Sequence, residues 1–485
     1  MGEIGELEPK SIFKYFEEIS AIPRPSRQTK ALSDYLLQFA EDHEFNAKRD
    51  EAGNVMIFVP ATSERENFPT VMLHSHMDME CARSNDSHHD FSKDPLRLSC
   101  IDDTIIARGT TMGAESGIGI AYCLALISDK RLPHPPLEVV FTADEKVGRL
   151  GVAALDMSIF KARYLINLNG HKEGTFLVSA AGSLIGTITA PVKYRQSTGE
   201  AYKIVVSGFH GGHSGRDIDK YYGNANIIMG RLLHFLGDRL PFEIISLQGG
   251  LMRNAIPRDA DCQVLIPSDY TSSFEGLIQE FEATIRNEYR ANENNIMIYC
   301  DFLGRQERQV LYQKTQERVI FLLNTVPDGV QKVSQEQATR GIPETSVNFG
   351  IMRIDEKEFT LEATVRSSIS SAKYALSDKL RYLSETIGGH YSESADWPAW
   401  EYREDSVLTH ILSEVYKNKT GKKASLWGMH EGSECSVFFQ KIPGIDIISM
   451  GPDIQNVNTL TEQLSVLSAG TIYPVLRETL KRIKE

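Results

Sequence analysis

The sequence lacks the features that would point to a membrane, a nucleic acid or a secreted protein. No apolar run among its 485 residues approaches the length that spans a bilayer. Acidic residues outnumber basic ones, with 65 Asp and Glu against 52 Lys and Arg, and no basic stripe stands out. We therefore expect neither a membrane nor a nucleic acid as a partner. The first residues, MGEIGELEPKSIFKYF, lack the basic start and apolar stretch of a signal peptide, which predicts a cytoplasmic protein.

Cysteine is scarce and scattered along the chain. The six cysteines form no CxxC pair, which argues against a zinc ribbon and against a disulfide framework. We expect most of them to be inert thiols in the core. They are Cys81, Cys100, Cys123, Cys262, Cys300 and Cys435.

What the sequence does contain indicates a large α/β protein. The chain is too long for one compact core, and 41% hydrophobic with 24% charged residues is a globular composition. A helix is predicted over 26–39 behind Ser26, a favoured N-cap, and another over 117–128. Strands alternate with these helices, which predicts a central sheet that is largely parallel or mixed. The predicted strands, apolar nearly throughout as doubly buried strands are, span 54–60, 70–76, 136–142, 162–169 and 445–451.

The middle of the chain has a different pattern. Segments 202–207, 261–267 and 359–367 alternate apolar and polar residues, as half-exposed antiparallel strands do. Predicted helices span 224–237, 273–289, 373–387 and 406–418. We therefore predict an α/β domain in two pieces, 1–184 plus 395–485, with an α+β domain, 185–394, inserted between them. Whether the insert holds one sheet or two similar sheet-and-helix units in tandem stays open.

Side chains suited to metal or acid–base chemistry follow the predicted strands. In open α/β sheets the site lies beyond the carboxyl ends of the strands. A lone residue of this kind is typical of a solvated loop or a helix cap, but several converging residues indicate a metal or acid–base site. These are His74, His76, Asp78, Asp144, Glu145, Asn167 and Asn169, with Glu115 in a glycine-rich turn before the helix at 117. In His76-x-Asp78, the carboxylate is suited to holding the second ring nitrogen of a ligating imidazole.

Seven segments then indicate a family. HSHMDM, ARGTTMGAESGIG, PLEVVFTADE, GGHSG, NAIPR, ETSVNFG and GSEC occur in this order along nearly the whole chain. Together they resemble the cytosolic Xaa-His dipeptidases (aminoacyl-histidine dipeptidases) of the two-zinc aminoacylase and carboxypeptidase family. The resemblance implies a catalytic α/β domain with a mixed sheet, an inserted α+β lid and dimerisation domain, and a homodimer. It also implies a zinc cofactor and hydrolysis of dipeptides such as those that end in histidine.

The resemblance assigns roles to the conserved strand-end positions. His76 and Asp78 keep the family's His-x-Asp turn, in which the His is a metal ligand. Glu115 takes the place of a bridging metal-ligand Asp and is one methylene longer. Glu145 takes the place of the general base. Glu145 and Asp78 are both expected to be catalytic residues.

Three of the five expected ligand positions hold other residues. Lys146 stands where the family has Glu, Asn169 where it has Asp, and Asn458 where it has His. A charged lysine offers only hydrogen-bond donors, and an amide oxygen is a weak zinc ligand. These replacements predict that the two-metal site is degraded, with zinc absent or at most one metal bound.

We hypothesise that the Lys146 ammonium takes over part of the missing charge. Without two dications, Glu115, Glu145 and Asp78 would repel one another and their pKa values would rise. Lys146 can relieve this by pairing with Glu115 or Glu145, the alternative being that it points to solvent. A shifted site with one metal is a further alternative, since three possible ligands lie within two residues of expected positions: His74, Asp144 and His171.

The substrate side of the family pattern is better preserved. In the family, the lid segments grip the dipeptide and stabilise the oxyanion, sometimes across the dimer. The matching residues are His213, expected to be catalytic, and the expected substrate ligands Asn254, Arg258, Asn348 and Arg366. Glu434 matches a position near the amino end of the peptide. Arginine suits a terminal carboxylate because it binds both oxygens, although these residues could also be retained because the fold needs them.

Two functions therefore remain open. One is a non-catalytic or feebly catalytic homologue that binds a dipeptide or small peptide. The other is an active metal-dependent aminoacyl-histidine dipeptidase with a rearranged, single-metal site.

Overall fold

The computed structural model describes residues 4–484, and the chain forms two compact units. The first unit runs to Ser179 and takes up Tyr402–Gly428 and the residues from Ser433 onward. The second comprises Ala180–Glu401 and Met429–Gly432. The predicted division differs in placing all of 395–485 in the first domain. Within the second unit, the Met429 carbonyl accepts a hydrogen bond from the Ala181 amide, which accounts for the placement of this segment.

Residues 4–484 form eleven α-helices, of which six were predicted from the sequence and five were not. Among the described residues, no helix is long and apolar enough to cross a membrane. They are α1 (Lys10–Ser20), α2 (Lys30–Asp42), α3 (Ala114–Ser128), α4 (Leu150–Ala154), α5 (Ala225–Gly237), α6 (Thr271–Glu288), α7 (Gln313–Thr325), α8 (Ser370–Thr386), α9 (Val407–Thr420), α10 (Cys435–Lys441) and α11 (Val466–Arg482). Short 3₁₀ helices occur at Ile4–Glu6, Met157–Ile159, Ile218–Lys220 and Ser268–Tyr270.

The strands follow in the same chain order. They are β1 (Asn46–Arg49), β2 (Val55–Val59), β3 (Val71–His76), β4 (Leu98–Ile101), β5 (Thr104–Ala107), β6 (Leu137–Thr142), β7 (Tyr164–Asn167), β8 (Thr175–Ala180), β9 (Gly182–Pro191), β10 (Tyr194–Ser207), β11 (Gly212–His213), β12 (Glu243–Gly249), β13 (Ala255–Ile256), β14 (Ala260–Ile266), β15 (Met297–Leu311), β16 (Gly329–Val333), β17 (Pro343–Ile354), β18 (Glu358–Ser367), β19 (His390–Trp397), β20 (Ser425–Met429), β21 (Asp446–Ser449), β22 (Ile454–Gln455) and β23 (Gln463–Ser465).

The first unit is built on a mixed eight-stranded sheet, which confirms the predicted fold class. Its strand order is β1-β2-β6-β3-β7-β21-β8-β20. β3 runs parallel to β6 and β7, and β21 runs parallel to β7, whereas β1, β2 and β8 join by antiparallel pairing. Every residue of β3, β6 and β7 is buried, as expected for strands covered on both faces. The carboxyl ends of these three central strands carry the candidate site.

The second unit contains one nine-stranded antiparallel sheet. Its order is β15-β10-β14-β12-β17-β18-β9-β19, with β16 paired to β17. The two halves of the sheet meet between β12 and β17, where only Gln248 and Gly249 pair with Arg353 and Met352. Apolar residues of α5, α6, α7 and α8 pack with those of the sheet in one core. The insert therefore has one large sheet with a narrow central junction, besides the two-stranded sheet of β11 and β13.

Two predicted helix starts were wrong. α2 begins at Lys30 and not behind Ser26, because Arg27 has a left-handed backbone with φ of 66° that a helix cannot continue through. The Ser26 hydroxyl instead donates to Asp78 Oδ2 at 2.7 Å. α3 begins at Ala114, so Glu115 lies within its first turn and not before the helix.

Candidate functional site

The candidate site of the first unit is organised by the buried carboxylate of Asp78. This side chain follows β3 and accepts hydrogen bonds from the backbone amides of Glu145 at 2.9 Å and Lys146 at 3.0 Å. Burial alone would raise the pKa of Asp78, but hydrogen bonds from His76, Ser26 and Lys146 lower it on balance. Asp78 thus ties the loop after β6 to the turn after β3.

His76 is held mainly by the backbone and not by the Asp78 carboxylate that the sequence suggested. Its Nδ1 lies 2.9 Å from the Asp78 carbonyl oxygen and 3.4 Å from Asp78 Oδ1. Its Nε2 lies 3.5 Å from Glu115 Oε1. Burial and Lys146 would lower the pKa of His76, but hydrogen bonds with Asp78 and Glu115 raise it to about 10.

Lys146 lies between two carboxylates and does not point to solvent. Its Nζ donates a short hydrogen bond to Glu115 Oε1 and lies 3.1 Å from Glu145 Oε2, and 16% of its side chain is exposed. Burial would lower the pKa of Lys146, but the two carboxylates raise it. Burial would likewise raise the pKa of Glu115, but Lys146 and His76 lower it. Lys146 and Glu115 are therefore both ionised at neutral pH and form a buried ion pair, with Glu145 Oε2 beside the same ammonium.

The two asparagines at expected ligand positions behave differently from each other. Asn169 Oδ1 accepts a hydrogen bond from the Ser75 hydroxyl at 2.7 Å. Asn458 has a left-handed backbone with φ of 62°, a conformation that asparagine tolerates. Its Oδ1 is buried and has no hydrogen-bond partner among residues 4–484. Both positions offer an amide oxygen where the family pattern has a stronger ligand.

The three residues considered as ligands of a shifted metal site, His74, Asp144 and His171, do not lie together as a ligand set. His74 Nδ1 lies 2.8 Å from the Asn167 amide nitrogen, and Asp144 Oδ1 accepts the Arg27 amide at 2.5 Å. His171 is exposed. Within the described part of the chain, no three His, Cys, Asp or Glu side chains are grouped so that they could hold a metal ion.

Glu434 is a buried carboxylate that precedes α10. It is 4% exposed, and neither oxygen makes a hydrogen bond of ordinary geometry with a described residue. Burial, followed by the nearby Glu145, raises the pKa of Glu434 to about 8. Such an unsatisfied acceptor is costly in the folded protein, and a ligand that donates hydrogen bonds would relieve the cost.

In the second unit, His213 is oriented by backbone amides. Its Nδ1 accepts hydrogen bonds from Gly215 N and Arg216 N, each at 3.2 Å. The ring proton of the neutral form must therefore be on Nε2. Burial, followed by Arg366, lowers the pKa of His213, so at neutral pH the ring offers one neutral N–H.

Arg366 belongs to a buried cluster that includes two residues missed by the sequence analysis. Its guanidinium lies 3.4 Å from the Ser214 hydroxyl, and burial followed by Arg366 lowers the pKa of His430 to about 3. His430 Nε2 lies 2.7 Å from Ser346 Oγ, and Glu431 Oε1 lies 3.4 Å from His213 Nδ1. His430 and Glu431 directly precede Gly-Ser-Glu-Cys in the sequence. Two titratable residues next to that motif are the signal from which both could have been predicted.

The other expected substrate ligands of this unit make hydrogen bonds within the fold. Asn348 is 1% exposed, donates to the Ala255 carbonyl at 2.9 Å and accepts from Asn224 at 3.3 Å. Arg258 is exposed, and its Nε donates to the Phe209 carbonyl at 3.1 Å. Asn254 is exposed, and its carbonyl accepts the Ser214 amide at 2.8 Å. These contacts give each residue a structural role in the insert.

Comparison with known proteins places these observations in a family. A model of peptidase family M20/M25/M40 matches residues 72–482. The cytosol non-specific dipeptidase of Escherichia coli (strain K12) is 32% identical over 485 residues, which cover 100% of this chain and 99% of that protein. Peptidase T of the same strain is 26% identical over 182 residues, or 32% of this chain and 44% of that protein. The crystal structure of aminoacylhistidine dipeptidase from Vibrio alginolyticus superposes with a TM-score of 0.93 and 31% identity, covering 100% of this chain and 99% of that one.

Proposed function

Because this chain belongs to peptidase family M20/M25/M40, we propose that it is an Xaa-His dipeptidase homologue that binds dipeptides and hydrolyses them weakly or not at all. The observation that carries the proposal is the Lys146 ammonium paired with Glu115 and Glu145. A cation of the chain itself thus pairs with Glu115, which the family pattern offers to metal, and with Glu145, which takes the place of the general base.

The donor set of this site does not suit two zinc ions. Zinc sites need about four nitrogen, sulfur or carboxylate ligands in tight geometry. Here Lys146 supplies donors only, Asn169 Oδ1 already accepts a hydrogen bond from Ser75, and Asn458 supplies an amide oxygen. The Glu115 carboxylate is shared between Lys146 and His76. We infer that the protein holds no metal or at most one.

The chain retains groups that can recognise a peptide. We propose that Glu434 receives the amino end and that Arg366 receives the terminal carboxylate, with Asn254, Arg258 and Asn348 in supporting contacts. Glu145, Asp78 and His213 keep the positions of the general base, its neighbouring carboxylate and a neutral N–H donor. From the same resemblance we propose a homodimer in the cytoplasm.

The competing function is a working metal-dependent dipeptidase with a rearranged site. It is favoured by the 32% identity to a dipeptidase along the whole chain. Its test is shared with that of the main proposal. Protein purified without chelator is analysed for bound metal, and alanyl-histidine hydrolysis is measured with added zinc, cobalt or manganese.

The decisive comparison is with the triple variant Lys146→Glu, Asn169→Asp, Asn458→His. We expect the wild-type protein to carry at most one metal and to hydrolyse weakly or not at all, and the triple variant to bind zinc. A single reversion should do little, because ligands of one site act together. Two tightly bound metal ions in the wild-type protein, or wild-type hydrolysis at the rate of the triple variant, would refute the proposal.

A further inference from the structure

A buried chain of hydrogen bonds in the first unit leads from β21 to Glu434. The Ser449 hydroxyl donates to Asn167 Oδ1 at 2.6 Å, and the Asn169 amide donates to the same oxygen at 3.3 Å. The other end of the Asn167 amide, Nδ2, lies 2.8 Å from His74 Nδ1. These contacts fix which way the Asn167 amide faces, because its oxygen is already taken by two donors.

The direction of these hydrogen bonds determines which ring nitrogen of His74 carries the proton. An amide nitrogen can only donate, so His74 Nδ1 must accept, and the proton of the neutral ring must be on Nε2. His74 is fully buried, and its Nδ1 is occupied by the Asn167 donor. The ring is therefore neutral and carries its single N–H on the side away from Asn167.

That N–H faces Thr142 and Glu434, at the end of this series of hydrogen bonds. His74 Nε2 lies 3.2 Å from Thr142 Oγ1 and 3.6 Å from Glu434 Oε2. Thr142 in turn interacts with Glu434 and opposes the effect of burial on its pKa. The two donors thus face the carboxylate without satisfying it, since neither makes a hydrogen bond of ordinary geometry with Glu434.

Packing holds the imidazole in this orientation. The ring of Phe438 meets the His74 ring edge to face with centroids 4.9 Å apart. Phe438 lies on α10 one turn after Glu434, so both residues face the same way. On the sheet, His74 is in register with Asn167 across the parallel pair β3 and β7. The strand pairing and α10 therefore fix both neighbours of the ring.

We propose that His74 is a positioning residue that aims the Glu434 carboxylate at the ammonium group of a bound dipeptide, an inference that rests on the proposed function. The partly unsatisfied oxygens of Glu434 are the acceptors that an ammonium would complete. A bound ammonium would stabilise the charged form of Glu434 against the raised pKa that burial gives it, and the neutral N–H of His74 keeps that carboxylate in place. An imidazolium at this position would compete with the ligand for the same oxygens.

The test compares His74→Phe with His74→Gln. Phenylalanine keeps a ring against Phe438 but removes both polar atoms, whereas glutamine keeps an acceptor for Asn167 and a donor for Glu434. Binding of alanyl-histidine and of N-acetyl-alanyl-histidine is measured by calorimetry. We expect His74→Phe to weaken binding of the free dipeptide about tenfold, His74→Gln to restore most of it, and the acetylated peptide to be unaffected by either change. His134→Gln, at another buried histidine of this unit, is the matched control and should change neither affinity.

A purely structural role for His74 would weaken both peptides equally, and that result would overturn the inference while leaving the proposed function in place. Nitrogen-15 NMR of the wild-type protein, with the His74 signals assigned by their loss in His74→Gln, gives an independent reading. The Nε2–H tautomer is expected, and the Nδ1–H tautomer would contradict the inference whatever the peptides do. Wild-type protein that binds neither peptide would refute the proposed function instead.

Discussion

At the residue scale, Lys146 has a strong effect on its surroundings because it is nearly buried. Removing a charge from water costs several kcal/mol, and the pairing with Glu115 and Glu145 offsets that cost. The pKa of Glu115 lies below its ordinary value and that of Lys146 above its own. The pair therefore stabilises the fold from about pH 5, where free carboxyls are ionised, to about pH 10, where free lysine loses its proton.

Lys146→Met should destabilise the first unit strongly at pH 7. The substitution keeps the length of the side chain but leaves Glu115 and Glu145 without their shared cation, which for a buried pair costs about 3–5 kcal/mol. The measurement is urea-induced unfolding of the variant and the wild-type protein. The double variant Lys146→Met, Glu115→Gln should recover part of the loss, since it removes one uncompensated charge.

The same experiment has an informative pH dependence. The loss in Lys146→Met should be largest above the ordinary pKa of a carboxyl and should shrink as the pH falls below about 5, where the freed carboxylates can take up protons. Lys93→Met, at an exposed lysine of the first unit that pairs with the exposed Asp90, is the control and should cost far less. A loss that is small and independent of pH would mean that Lys146 does not compensate the carboxylates.

Arg366 offers a second test at this scale, directed at peptide recognition. Arg366→Met should weaken binding of alanyl-histidine about tenfold to a hundredfold, because a charge-assisted hydrogen bond to a terminal carboxylate is worth about 1.5–3 kcal/mol. The C-terminally amidated dipeptide should lose much less. Arg253→Met removes a 55% exposed arginine of the same unit and serves as the control. Equal losses for the two peptides would exclude Arg366 as the carboxylate ligand.

The sequence predicted some residues of the site well and missed others for a physical reason. The pairing of Lys146 with Glu115 or Glu145 was predicted from the charge that the missing metal ligands leave uncompensated, and both contacts are present. His430 was missed because its partner Ser346 lies 84 positions earlier in the chain. Such contacts depend on tertiary packing, which has no local sequence pattern.

At the scale of elements, the position of Glu115 depends on how the first turn of α3 is held. The Glu462 carboxylate accepts the backbone amides of Met112 at 2.9 Å, Gly113 at 2.9 Å and Ala114 at 3.1 Å. Arg24 is 1% exposed and donates to the Gly113 carbonyl at 2.7 Å and the Met77 carbonyl at 3.0 Å. An anion at a helix N-terminus is favourable because the free amides and the helix dipole point at it.

Glu462→Ala should therefore cost about 3 kcal/mol of stability, because it leaves three buried amides without an acceptor. Glu462→Gln keeps one acceptor oxygen and should cost about half as much. Urea-induced unfolding measures both, and Glu41→Ala, at an exposed carboxylate of α2, is the control. Gln and Ala variants that are both as stable as the wild-type protein would show that the amides do not depend on this side chain.

The elements also show where local patterns are sufficient. The predicted strands 70–76 and 136–142 match β3 and β6 to within one residue, because doubly buried strands need continuous apolar runs. The start of α2 was missed because Arg27 has a left-handed backbone. Glycine marks such a conformation in a sequence, but an arginine does not. The Glu462 contact with α3 joins residues 350 positions apart, and no sequence pattern marks it.

At the scale of the whole molecule, the metal-free form of the proposal makes the stability of the protein independent of a chelator. A ligand that binds only the folded state stabilises it by RT ln(1 + [L]/Kd), so removing a bound metal lowers the unfolding temperature. Because the chain forms two compact units, each can have its own unfolding transition. We expect a chelator to leave both transitions of the wild-type protein unchanged.

Adding zinc to the triple variant Lys146→Glu, Asn169→Asp, Asn458→His should give the opposite result. Zinc at about a hundred times its Kd contributes about 2.7 kcal/mol, and it should raise only the transition of the first unit, which carries all three substitutions. The second unit, whose sheet and helices are unchanged, is the internal control. A chelator-sensitive wild-type transition would show that metal, and not Lys146, compensates the carboxylates. Zinc that fails to stabilise the triple variant would show that the three positions are not the missing ligands.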